Sequence, residues 1–155
     1  MPRHAITKKR TLYPDPLYKS RLVTRMVNAV MLDGKKGVAQ GLVYGAIGQI
    51  DADPVQAVKF FDEAMRNVMP SVEVRSRRVG GANYQVPVPV RNERSEALAV
   101  RWVIDAARAR KGKPMTESLS MELQDALKKT GEAVKKRDTV YKMAEANKAF
   151  SHFRW

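Results

Sequence analysis

Apolar residues recur every three or four positions through most of the chain, and this spacing predicts six helices. The first helix is expected to begin after Ser20 and to end at Asp33-Gly34, a pair typical of helix ends. A second helix follows, and a third is expected to start at Asp53-Pro54 and to end at Met69-Pro70. The later helices are predicted to begin near Asn92, Thr116 and Ala133.

Between residues 72 and 90 the apolar period changes to two, which predicts a β-hairpin. The preferred register pairs Val74 with Val88 across a loop of residues 79–83, so that the valines of both strands share one face. A two-residue turn at Gly80-Gly81 is the alternative, and it would place the two valine rows on opposite faces. In the preferred register, Pro87 and Pro89 lie where the sheet misses no backbone donor.

The first eighteen residues contain three prolines and no sustained periodicity, which predicts an extended arm. The expected fold is therefore mainly α, a six-helix domain with a protruding two-stranded β-hairpin and a basic N-terminal arm. The expected organisation is an arm at 1–18, a single helical domain at 19–150 with the hairpin at 72–90, and a C-terminal tail at 151–155.

The charge of the chain says more about its function than the pattern of apolar residues does. The 155 residues include 29 Lys and Arg against 16 Asp and Glu, a net charge of +13. Basic and acidic side chains nearly balance within residues 26–70, so the excess lies in the flanking segments. This distribution predicts a helical scaffold that presents selected cationic surfaces to a polyanion.

Several chemistries are excluded or disfavoured by composition. The chain has no cysteine and two histidines, so disulfides, cysteine-zinc sites and thiol nucleophiles are excluded. No catalytic motif is present, and we expect no enzymatic activity, no cofactor and no metal site. No stretch approaches the roughly 18 apolar residues of a membrane span, and the N-terminus lacks a signal-peptide centre, so a soluble intracellular protein without a membrane partner is expected.

The fourth predicted helix carries arginines at heptad spacing, which places them on one face. Such a stripe could follow phosphates, although a solvated helix face is the simpler alternative. The hairpin carries further arginines beside a glycine tip, either as a binding finger or as an ordinary surface turn, and the lysines after Gly34 and in the arm could also contact phosphate. The candidates are Arg94, Arg101 and Arg108 in the stripe with Arg91 beside its start, Arg75, Arg77, Arg78, Gly80 and Gly81 in the hairpin, Lys35 and Lys36 in the turn, and Arg3, Lys8, Lys9 and Arg10 in the arm.

Several long strings carry a family resemblance. They are MLDGKK at 31–36, VYGA at 43–46, VEVRSRRVGGA at 72–82, YQVPV at 84–88, MAEANKAF at 143–150 and FRW at 153–155. In this order they strongly resemble the bacterial-type family of small-subunit ribosomal protein seven (S-seven). The resemblance covers essentially the whole chain without a large insertion. The chain departs from the family pattern at Ser95, where the second of a pair of arginines is usual.

The resemblance implies a structural constituent of the small ribosomal subunit that binds the 3′ major domain of 16S-type rRNA and nucleates assembly of the head. It places the hairpin, with Arg77, Arg78, Gly80 and Gly81, near the exit site for tRNA and mRNA. Arg154 and Trp155 would face exit-site tRNA and a neighbouring head or platform protein. The implied location is cytoplasmic and ribosome-bound, with an organellar ribosome left open.

Two other functions are considered. A DNA-binding regulator could use the fourth helix for recognition, but it would need Asn or Gln base readers, which the stripe lacks, and a dimer. A hydrolase or nuclease would need paired carboxylates that bind magnesium.

Overall fold

A computed structural model describes residues 11–153, and the predicted fold class is confirmed. Six helices and one antiparallel hairpin form the described part of the chain, and a short 3₁₀ helix follows the last α-helix. None of the described helices is long and apolar enough to cross a membrane. The elements are α1 Arg21–Val30, α2 Lys36–Gly48, α3 Pro54–Val68, β1 Val72–Val79, β2 Ala82–Pro89, α4 Asn92–Ala109, α5 Met115–Leu127, α6 Glu132–Ala146 and the 3₁₀ helix Lys148–Phe153.

Helix α5 lies at the centre of the bundle and packs against α2, α3 and α4. Its Leu119 and Leu123 are fully buried, as are Phe61 of α3 and Ile47 of α2. These residues occupy the apolar positions of amphipathic helices, and burying that surface drives the helices together. Trp102 of α4 also faces inward, with 7% of its surface exposed.

Local signals set the helix ends about where the sequence predicts them. The carboxylate of Asp53 accepts a hydrogen bond from the backbone N–H of Val55 at 3.1 Å, and Pro54 occupies the first helical position of α3. Helix α1 ends at Val30, three residues before the predicted Asp33, because Met31 already leaves the helical conformation with a ψ of 133°. Asp33 and Gly34 adopt φ angles of 52° and 73° in the turn that follows. Helix α6 ends at Ala146, whereas the sequence pattern predicts a helix that runs to about Ala149, and the chain continues into the 3₁₀ helix.

The preferred register of the hairpin is wrong, and the two-residue alternative is confirmed. Val79 pairs with Ala82 across Gly80 and Gly81, whose φ angles are 57° and 89°. Two consecutive residues with positive φ form the tight turn that matches the twist of a hairpin, so the glycines decided the register. The alternation of valines could not decide the register, because the face that the helices cover is only partly apolar.

The two faces of the hairpin follow from this register. Glu73 lies opposite Val88 and Arg77 opposite Tyr84, so these four residues share a face with the fully buried Val86. That face meets α6 through β1 and the 3₁₀ helix through β2. Val72 and Val74 of β1 and the prolines of β2 lie on the other face.

The prolines do not disturb the ladder in this register either. Hydrogen-bonded and non-hydrogen-bonded pairs alternate from the turn, which places Pro87 and Pro89 in non-hydrogen-bonded pairs. The N–H of Val90 donates to the carbonyl of Ser71 at 2.9 Å, as this alternation requires. Pro87 and Pro89 therefore interrupt no ladder hydrogen bond, as predicted.

Candidate nucleic-acid interface

The predicted arginine stripe lies on the solvent side of α4. Arg94, Arg101 and Arg108 are all exposed, whereas the residues on the opposite side of the helix are buried. Arg91 is exposed just before the first turn. Within residues 11–153, Arg101 and Arg91 form no ion pair, so their charges are available to an external anion.

An open groove of about 730 Å³ runs between α1 and α4 along this stripe. Val100 and Ile104 of α4 contribute apolar surface to it, and both are almost fully buried. Cationic and amide side chains of both helices also line the groove, with Arg25 and Asn28 from α1 and Arg101 and Arg108 from α4. The groove therefore combines an apolar surface with guanidinium groups.

Glu73 joins the base of the hairpin to α4. Its carboxylate is paired with the guanidinium of Arg75 in the same strand, and its Oε2 lies 3.3 Å from Nε of Arg94. Glu73 is only 9% exposed, and a carboxylate in such surroundings needs cationic or hydrogen-bonding partners. The pairings orient both arginines and compensate part of their positive charge, whereas Arg101 forms no ion pair within residues 11–153.

A second groove, of about 300 Å³, adjoins the first. Leu12 and Asn28 line both grooves, so the two meet at these residues. Lys36, at the start of α2, lines the second groove, and Lys35 beside it is exposed. The turn lysines and the α4 stripe, predicted separately, therefore belong to one surface.

The described part of the predicted arm, residues 11–18, is attached to the helices through Asp15. The backbone N–H groups of Leu17 and Tyr18 donate to Oδ2 of Asp15 at 3.1 and 3.2 Å, and the Tyr44 hydroxyl donates to Oδ1 at 2.7 Å. Burial, followed by this hydrogen bond to Asp15, raises the pKa of Tyr44 to about 12. The Asp15 contacts hold the segment of residues 11–16, which lines the second groove, against the helices.

The hairpin tip carries the residues predicted for the exit site. Arg78 is exposed and Arg77 is half-buried, and neither has an ion pair within residues 11–153. A Cβ atom at Gly80 or Gly81 would meet nothing within 4 Å, so the glycines serve the turn conformation rather than close packing within the chain.

Tyr84 is not free to stack on a base. Its ring centroid lies 5.1 Å from those of both Phe150 and Phe153 in the 3₁₀ helix. These contacts hold β2 against the C-terminal segment. His152 is likewise engaged locally, with Nδ1 2.9 Å from the carbonyl of Ala149.

Some predicted site residues lie outside the described residues, so the structure does not bear on them. They are Arg3, Lys8, Lys9 and Arg10 in the arm and Arg154 and Trp155 at the C-terminus.

Sequence reasoning missed four residues that organise this surface. Arg25 and Asn28 lie on the polar side of α1, and their three-residue spacing was the available signal. Glu73 looked like an ordinary strand carboxylate. Ser95 stands where the family pattern has an arginine, and its buried hydroxyl donates to the carbonyl of Pro70 at 2.8 Å, tying α4 to the end of α3.

The comparisons with known proteins agree with this architecture. Residues 2–148 match the family model described as Ribosomal protein S7p/S5e. Small ribosomal subunit protein uS7 of Acholeplasma laidlawii is 55% identical over the full length of both chains. The proteins of the same name from Afipia carboxidovorans and Streptococcus suis are each 54% identical, again over both full lengths. The groups of acidic and histidine side chains needed for a metal centre are absent among residues 11–153. On the strength of this full-length similarity, the chain belongs to the ribosomal protein S7p/S5e family and is a structural, non-enzymatic protein.

Proposed function

We propose that this protein is a constituent of the small ribosomal subunit and binds rRNA through the surface formed by α1, α4 and the base of the hairpin. The observation that carries the proposal is the position of Arg101. It is exposed at the centre of the stripe, borders the α1/α4 groove and has no ion pair within the described residues. Membership of the ribosomal protein family is the reason for proposing rRNA as the polyanion.

Binding on this surface works by neutralising phosphates. Each guanidinium or ammonium group that contacts a phosphate releases condensed counterions, so affinity falls as salt rises. The arginines of the stripe are suited to phosphates because the guanidinium group is planar and donates in pairs. Helix α4 fixes the spacing of the backbone positions from which these guanidinium groups project. The rRNA-contacting set we propose within the described residues is Lys35, Lys36, Arg75, Arg91, Arg94, Arg101 and Arg108.

The finer assignment follows the family resemblance. The rRNA region is the 3′ major domain, and binding there nucleates assembly of the head. The arm, with Arg3, Lys8, Lys9 and Arg10, adds contacts to the same RNA, because a basic segment without its own core orders best against a polyanion. Neighbouring head and platform proteins complete the surroundings, and the ribosome is cytoplasmic.

The hairpin tip reaches toward exit-site tRNA and mRNA. Arg77, Arg78, Gly80 and Gly81 form the end of a ribbon whose base is held by α6 and by the aromatic contacts of Tyr84. Arg154 and Trp155 are assigned to the same exit-site region. A ribbon anchored at one end can present its other end to a ligand that the helical body does not touch.

The test of the rRNA interface is an Arg101→Ala variant. Removing one phosphate contact should weaken binding to a 3′ major domain fragment and reduce the slope of log affinity against log salt by about one unit. Lys59→Ala is the matched control, because Lys59 is exposed on α3, away from both grooves. Filter binding across a potassium chloride series measures both slopes.

Equal slopes for the native chain and Arg101→Ala would remove the stripe from the interface. If the native chain also failed to prefer the rRNA fragment over heparin, and did not sediment with small subunits, the proposed function itself would be wrong.

A further inference from the structure

We propose that the two joined grooves bind an unpaired stretch of RNA, with Tyr13 as a stacking platform for one base. The inference rests on the proposed rRNA binding and adds the class of RNA structure that this surface selects. It is carried by an exposed aromatic ring beside a groove that is partly apolar and partly cationic.

Tyr13 has an unusual combination of a fixed backbone and a free ring. Its side chain is 81% exposed, whereas its carbonyl accepts a hydrogen bond from the hydroxyl of Thr24 at 3.0 Å. Asp15, two residues later, is buried and anchors the following turn. Most of the ring makes no contact within the fold, and its fixed backbone positions it for a planar ligand. Aromatic side chains on a fixed backbone are the usual platforms for unpaired bases.

The first groove, which meets the groove of Tyr13 at Leu12, suits a single strand better than a duplex. Its apolar lining includes Ala97, Val100 and Ile104 of α4 and Leu12 next to the tyrosine. A duplex exposes phosphates and sugars on its outside and keeps the faces of its bases stacked, so it gains nothing from apolar surface. An unpaired strand can place a base in the groove and its phosphates on the rim.

The charges on the rim match such a strand. Arg101 and Arg108 border the first groove and form no ion pair within residues 11–153, and Lys36 borders the second. Arg25 also borders the first groove, but it is paired with Glu96 at 2.5 Å. The carboxylates of Glu93 and Asp105 line this groove too, and that of Asp105 lies 3.9 Å from Nζ of Lys136, so Arg101 and Arg108 are the cations that we assign to phosphates.

Two RNAs test the inference, a blunt duplex of two annealed strands and the same duplex carrying a bulge of unpaired adenosines in one strand. The native chain should bind the bulged RNA more tightly. Tyr13→Ala should weaken binding to the bulged RNA by about fivefold or more, the loss expected for one base–aromatic stack, and should leave the paired RNA unaffected. Tyr13→Phe keeps the ring and should stay within about twofold of the native chain.

Two further variants separate the groove from general effects. Ala97→Phe fills the apolar part of the groove without changing charge, and it should abolish the preference for the bulge. Phe60→Ala removes an aromatic ring from α3, which lines neither groove, and it should leave the preference intact. Circular dichroism checks that each variant is folded, and a fluorescent adenine analogue in the bulge reports stacking directly.

The outcomes distinguish this inference from the proposed function. Equal affinity of the native chain for the two RNAs, or equal losses for Tyr13→Ala on both, would overturn the single-strand site while leaving phosphate binding by the stripe in place. Failure of the native chain to prefer a 3′ major domain fragment over heparin would instead contradict the proposed function.

Discussion

Glu122 shows how one buried charge can organise three helices. It is fully buried in α5, and its Oε2 accepts hydrogen bonds from the guanidinium of Arg110, just after α4. Its Oε1 accepts from the backbone N–H of Ala133 at 2.9 Å, in the first turn of α6. The hydrogen bond to Glu122 is the main reason that the pKa of Arg110 is raised. A Cβ at Gly131 would lie 2.5 Å from Oε1, so glycine is needed for this close approach.

Replacing Glu122 by Ala should therefore destabilise the fold strongly. The variant leaves Arg110 with Asp125 alone and an unpaired N–H at Ala133, and we expect a loss of about 3 kcal/mol in the free energy of unfolding. Urea denaturation followed by circular dichroism measures it. Glu132→Ala is the control, because its pair with Lys135 is exposed and screened by solvent, so its loss should change the free energy of unfolding little. Similar losses for the two variants would show that Glu122 is not a structural anchor.

At the scale of elements, the hairpin consists of an anchored base and a free end. Val86 is fully buried, and Tyr84 packs between Phe150 and Phe153, so the base belongs to the body of the protein. Beyond the pair formed by Arg77 and Tyr84, every residue of the tip is exposed except Val79, which is partly exposed. The strand pairing suggests a way to separate the two parts.

Deleting Arg78, Val79, Ala82 and Asn83 should shorten the tip without changing the register. Gly80-Gly81 would then join Arg77 to Tyr84, another hydrogen-bonded pair, so the same two-residue turn fits. We expect an unchanged urea midpoint and retained rRNA binding, with weaker exit-site tRNA binding in small subunits reconstituted with the variant.

Tyr84→Ala is the complementary control, since it keeps the tip and removes the aromatic contacts. It should reduce hydrogen-exchange protection in the hairpin, at a cost of about 1 kcal/mol for lost ring contacts. Unfolding of the helical core on tip deletion would show that the free end is structural.

Over the whole molecule, the fold gathers cations that are distant in sequence onto one surface. Lys36 and Arg101 lie on different helices, yet the grooves that they border meet at Asn28. The Glu73 pairs extend this surface to Arg75 at the base of the hairpin. One RNA could therefore contact all these positions at once.

If Lys36 and Arg101 bind the same RNA, their contributions to the salt slope should add. Each single Ala variant is expected to lower the slope by about one unit and the double variant by about two. Fluorescence anisotropy with a labelled 3′ major domain fragment measures the three slopes. A double variant with the slope of Arg101→Ala alone would place Lys36 outside the interface.

The amino-acid sequence by itself determined the elements and the chemistry of the surface. Helical spacing, Asp53-Pro54 and Asp33-Gly34 are local features, and local backbone energetics set helix faces and ends. The excess of arginine and lysine likewise identified a polyanion as the ligand, since net charge is independent of packing. The stripe on α4 was predictable because residues seven apart always share a helix face.

Only the tertiary structure decided which partners and which neighbours these residues have. The valine pattern favoured the wrong hairpin register because it assumed one apolar face, whereas the covered face holds Glu73 between two arginines. Arg25, Asn28 and Tyr13 joined the site only when α1, α4 and the turn at Asp15 came together. Such contacts link residues far apart in the chain, and they depend on the packing of whole helices rather than on any local preference of the backbone.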